Sequence, residues 1–177
     1  MSAPLVAVFG TGTPRAEDAA RARALGAALA RAGYGIINGG YGGTMEASAA
    51  GAREAGGRAV GVTCAEFTFR AGPNPHLDEV LEAPTLTARL ETLLRRGDAY
   101  VVLPGGVGTL IELTLVWEHL RRGLVPPRPL IVWEDPWRPV VRALAEGPYA
   151  EEGHDLLTWV SGVDAAVAAV RAGAAAG

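Results

Sequence analysis

The chain has 177 residues, 49% of them hydrophobic and 20% charged, which suits a single globular domain with a full core. A net charge of −3 offers no basic field for a nucleic-acid backbone, and no apolar run approaches the roughly 18 residues of a membrane span. All 16 basic residues are arginine, and the lack of lysine excludes both a pyridoxal Schiff base and a Walker-type phosphate loop. Cys64 is the only cysteine, so no internal disulfide or multi-cysteine metal site can form, and it reads as a small buried residue at a strand end. The first residues lack a basic, signal-like region, and the expected location is cytoplasmic.

Short β-branched runs alternate with Ala- and Leu-rich amphipathic stretches along the whole chain, the pattern of repeated βα units. The expected fold is α/β: a single Rossmann-like, doubly wound domain over residues 1–177, its mainly parallel sheet flanked by helices. In chain order, a strand at Leu5–Phe9 leads through Gly10-Thr11-Gly12-Thr13 to a helix at Ala16–Arg31. A strand at Gly35–Asn38 then leads through Gly39-Gly40-Tyr41-Gly42-Gly43 to a helix at Thr44–Glu54, followed by a strand at Arg58–Val62. The stretch Glu66–Pro84 carries Pro73, Pro75 and Pro84 and is expected to be a loop near the ligand. Next come a helix at Thr87–Arg96, a strand at Ala99–Leu103 and a helix at Thr109–Arg121. Pro126, Pro127 and Pro129 stiffen the approach to a strand at Leu130–Trp133. A helix at Trp137–Ala145, a strand at Leu157–Val160, a helix at Asp164–Ala172 and a frayed tail at 173–177 complete the pattern. Gly33, Gly56, Gly97 and Gly123 mark helix ends.

In a parallel sheet the ligand lies beyond the carboxyl ends of the strands, where three glycine-rich segments are expected to converge. They are Gly10 with Gly12 after the first strand, Gly39, Gly40, Gly42, Gly43 and Thr44 after the second, and Pro104, Gly105, Gly106, Gly108 and Thr109 before a later helix. Glycine lets the backbone approach a ligand, and the helix that follows turns unpaired N–H groups and its positive dipole end toward an anion. The three together predict a phosphate cradle. Thr109 is placed to cap its helix, and Glu112 one turn further on can face the same pocket. A carboxylate there serves either the helix dipole or the chemistry of a bound ligand, by holding a ribose hydroxyl, orienting water or stabilising a developing cation. Trp117 and Leu120 share a face that reads as core. His76, His119 and His154 are too scattered to suggest a metal site, and neither metal nor cofactor is expected.

The run Pro104 to Glu112 resembles the LONELY GUY family, matching every fixed position of its P-G-G-x-G-T-x-x-E pattern. The likeness extends to the first glycine turn, to Gly39–Gly43, to the Gly56-Gly57-x-x-Val60-Gly61-Val62 segment, and to Arg89 on the helix before the Ala99–Leu103 strand. It implies a Rossmann-like homodimer that hydrolyses the N-glycosidic bond of a nucleoside 5′-monophosphate, such as AMP or a cytokinin nucleotide, to free base and ribose 5-phosphate. Arg89 and Glu112 then match the catalytic pair, and Gly105, Gly106, Gly108 and Thr109 the phosphate loop. The older lysine decarboxylase label of the family fails here for want of the pyridoxal lysine. The sequence departs from the family at Leu90, where a lysine is usual, at Phe9-Gly10-Thr11-Gly12 and at Gly43-Thr44-Met45-Glu46. These departures lean toward the related molybdenum-cofactor carriers, so the alternative is a binder of a phosphorylated cofactor. NAD-dependent oxidoreduction is disfavoured, because the first turn lacks a full G-x-G-x-x-G.

Overall fold

A computed structural model describes residues 3–68, 72–148 and 153–175. The expected α/β architecture is present as one seven-stranded, fully parallel sheet in the order β4-β3-β2-β1-β5-β6-β7. Its strands are β1 (Leu5–Phe9), β2 (Gly35–Asn38), β3 (Ala59–Cys64), β4 (Glu79–Ala83), β5 (Ala99–Val102), β6 (Leu130–Trp133) and β7 (Leu157–Val160). The helices are α1 (Ala16–Arg31), α2 (Thr44–Glu54), α3 (Leu86–Arg96), α4 (Val107–Arg121), α5 (Glu134–Ala145) and α6 (Val163–Ala175), with a short 3-10 turn at His154–Leu156.

From β1 the chain winds outward through β2 and β3 to β4, then returns to the other side of β1 for β5, β6 and β7. Right-handed crossovers therefore put α1 and α2 on one face of the sheet and α4 and α5 on the other. Contacts agree: α1 packs on α2 and α6, while α3 packs on α4. The central strands β1, β2, β3, β5 and β6 are buried along their full length, which is why they read as mainly apolar runs. The α1–α2 pairing is close because Gly26 rests on the Ser48 carbonyl and Gly51 on that of Arg23.

Three expectations need correction. The Glu66–Pro84 stretch contains β4, an edge strand whose outward residues are partly exposed and whose Glu79 is ion-paired to Arg58 and Arg96. Its charges hid it, because an edge strand is held by backbone pairing to β3 and need not be apolar on both faces. Helix α4 begins at Val107 with Gly106 as N-cap, so Thr109 is not the cap: its side chain is already inside the first turn and 2% exposed. The helix-end glycines fall where expected: Gly33, Gly56 and Gly123 end their helices with positive φ, and Gly97 is the C-cap of α3 in an extended conformation. Helix α6 spans Val163–Ala175, past the expected end at Ala172, and residues 176–177 lie outside the described residues.

Candidate active site

The carboxyl ends of β1, β2 and β5 bring the three glycine segments together at the point where the winding of the sheet reverses. Side chains from the second segment hold the first. Thr44 donates from both its backbone N (2.9 Å) and its Oγ1 (3.0 Å) to the Thr11 carbonyl. Asn38, fully buried at the end of β2, donates from Nδ2 to the Met45 carbonyl and Ser48 Oγ and accepts from the Gly40 N–H, fixing the turn into α2. The proline-containing stretch folds back over this turn, where Asn74 donates from its backbone N to the Gly40 carbonyl and from Nδ2 to the Tyr41 carbonyl.

These joints frame a cleft of about 320 Å³. Gly10, Thr11, Gly12 and Thr13 form one wall, and Gly106, Gly108, Thr109 and Glu112 of the α4 turn form another. The N-cap Gly106 has no side chain to cap α4, and an uncapped helix N-terminus beside the cleft favours an anion. The remaining wall is largely apolar: Tyr41, Met45, Phe67, Leu86, Leu90 and Ile111.

Arg89 and Glu112 meet at the floor. Arg89, 6% exposed, reaches from α3 to donate from Nε to the Val62 carbonyl at 2.7 Å. Its guanidinium carbon lies 5.9 Å from the Tyr41 ring centroid and 5.7 Å from that of Phe67, within cation–π range. Its Nη1 stands 3.9 Å from Glu112 Oε1. Burial disfavours the charged form of Glu112 and pushes its pKa up to about 7, against the opposing pull of Arg89. The cleft therefore has a carboxyl group poised to exchange a proton near neutral pH, beside a permanent positive charge.

Of the residues singled out in the sequence, the structure gathers Gly10, Gly12, Arg89, Gly106, Gly108, Thr109 and Glu112 around this cleft. It does not bring Gly39, Gly40, Gly42, Gly43 or Thr44 to its surface. Gly39 lies against Arg89, Gly40 against Gly61 and Thr63, and Gly43 against Thr11 and Gly12; Thr44 is the buried joint described above. They shape the cleft from behind. Pro104 and Gly105 line a neighbouring hollow with Thr11, Thr13, Asp18 and Asp135, on the α1 side of the first turn. Sequence reasoning missed Tyr41, Met45, Phe67, Leu86 and Ile111 as lining residues. An aromatic residue set between two glycine pairs, as Tyr41 is, was the available signal; Phe67, Leu86 and Ile111 carry none that distinguishes them from core. Among the described residues no three His, Cys, Asp or Glu side chains cluster in a way that could hold a metal, and no helix is long and apolar enough to cross a membrane.

A doubly wound parallel sheet, an open helix N-terminus and a buried Arg–Glu pair at the switch point define a Rossmann-like α/β protein with a ligand cleft at the carboxyl edge of its sheet. The chain belongs to the SLOG cluster4 family, whose model matches residues 3–125. A cytokinin riboside 5′-monophosphate phosphoribohydrolase of Mycobacterium tuberculosis is 38% identical over 134 residues, covering 75% of this chain and 71% of the relative. One from Rhodococcoides fascians is 31% identical over 160 residues, covering 85% and 79%. Among solved structures, the molybdenum cofactor carrier protein of Chlamydomonas reinhardtii superposes with a TM-score of 0.78 over 98% of this chain and 99% of its own, at 24% identity, a likeness of fold.

Proposed function

We propose that this protein is a phosphoribohydrolase that cleaves the N-glycosidic bond of a nucleoside 5′-monophosphate, releasing the free base and ribose 5-phosphate. The observation that carries this reading is the buried Arg89–Glu112 pair beside the open N-terminus of α4. The names of the curated relatives support it. The 5′-phosphate binds at the α4 amides with Gly106, Gly108 and Thr109, which leaves the sugar over Glu112. As the C1′–N bond breaks, its electron pair goes to the base and positive charge builds on the ribose ring. The Glu112 carboxylate stabilises that charge and takes a proton from the water that adds to C1′; a proton returned to the base nitrogen balances the reaction. Arg89 keeps Glu112 ionised often enough to do so and holds the anionic side of the ligand. The protein acts in the cytoplasm as a homodimer, without metal or cofactor.

The test is base release from a panel of nucleoside monophosphates that includes AMP and an N6-substituted AMP. Wild type is expected to release base, and Glu112→Gln to lose at least about 100-fold in kcat while still binding nucleotide. Release of no base from any member of the panel ends the proposal. Saturable binding of a phosphorylated pterin without turnover would favour the carrier reading in its place.

A further inference from the structure

Gly39 has no exposed face in the cleft, yet the site depends on its lacking a side chain. A Cβ built on it would overlap Arg89 Nη2, lie 3.0 Å from Arg89 Cζ and 2.6 Å from Met45 Sδ. The backbone does not demand glycine there: unlike Gly40 and Gly43, Gly39 does not take positive φ. Space alone makes the requirement, and the guanidinium of Arg89 fills most of that space. That guanidinium has little freedom to retreat, since its Nε is bonded to the Val62 carbonyl and the Tyr41 and Phe67 rings stand beside it.

We propose that Gly39 is a positioning residue, a socket at the end of β2 whose missing side chain lets the Arg89 guanidinium sit opposite Glu112. It acts through Arg89 and touches no ligand. Its importance for catalysis rests on the phosphoribohydrolase reading; its action on Arg89 does not. Among the described residues, Arg89 is the charged group that bears on the Glu112 carboxyl, so the proton equilibrium of Glu112 reports whether the guanidinium is in place.

The experiment is a double-mutant cycle on the full chain, read by 13C NMR titration of the Glu112 carboxyl carbon, assigned with Glu112→Gln. Gly39→Ala is expected to move the Glu112 midpoint by about half a pH unit or more in the wild-type background, and by less than about 0.2 in the Arg89→Met background. A shift of equal size in both backgrounds, or none in either, overturns the proposal. Thermal melts cover the case of a variant that does not fold. If Gly39→Ala unfolds and the double variant with Arg89→Met folds, the clash with Arg89 is established; if both unfold, the glycine is needed for some other reason and the proposal falls. Base release measured in parallel separates the two ideas, because a wild type without hydrolase activity would refute the functional reading and leave the titration cycle intact.

Discussion

Replacing Glu112 by Gln should make the protein more stable at alkaline pH relative to wild type than it is at acid pH. In the folded state burial raises the Glu112 pKa from 4.5 to about 7, with Arg89 only partly offsetting the effect. Between these two values the folded protein holds a proton that the unfolded chain releases. The stabilising contribution of the neutral carboxyl is fully present below about pH 4.5, declines as pH rises, and is gone above about pH 7. At 1.36 kcal/mol per unit the loss amounts to about 3 kcal/mol. Glutamine imitates the neutral carboxyl at every pH and carries no such loss. Urea denaturation of both proteins at several pH values between 4 and 8.5 measures it: the stability difference, variant minus wild type, should climb by about 3 kcal/mol across the series, with most of the rise between pH 4.5 and 7. A difference that stays flat to within about 0.5 kcal/mol would show that Glu112 ionises freely in the folded protein, and would remove the basis for treating it as a group with a shifted proton equilibrium.

Gly51→Ala should destabilise the protein by about 3 kcal/mol in urea denaturation, although helix propensity alone predicts a gain of about 1 kcal/mol, because the new methyl would enter the carbonyl of Arg23 on α1. Arg128→Met should cost about 2 kcal/mol by the same measurement. Arg128 Nη1 donates to the Leu94, Arg95 and Gly97 carbonyls and contacts the Tyr100 hydroxyl, tying the C-terminal end of α3 to the start of β5. A cost under about 0.5 kcal/mol would mean that water replaces these contacts without penalty.

Elements with a strong local signal are legible in the amino-acid sequence alone. Helices α1 and α2 fall on the expected residues because a glycine-rich turn precedes each and its apolar face repeats with helical period. Strands β1, β2 and β6 also match their expected bounds, since burial on both faces leaves a mainly apolar run. Strand β4 is illegible for the opposite reason: at the sheet edge Glu79 and Glu82 remain in contact with solvent, and the nearby prolines point to a loop. The expected start of α4 is displaced by two residues because Thr109 looks like a cap, whereas the glycine backbone at 106 makes the turn and leaves the threonine side chain to be buried.

By itself the sequence determined the α/β class, the carboxyl-edge location of the cleft and the residue types available there, since periodicity and glycine placement are properties of the local chain. Which glycines line the cleft was decided only by the tertiary structure. Gly39 and Gly106 look alike in the sequence, but α3 carries Arg89 over the first and leaves the second open to the cleft. The proton equilibrium of Glu112 was decided there too. A glutamate in the first turns of a helix is unremarkable until burial removes its water and α3 sets a guanidinium 3.9 Å away.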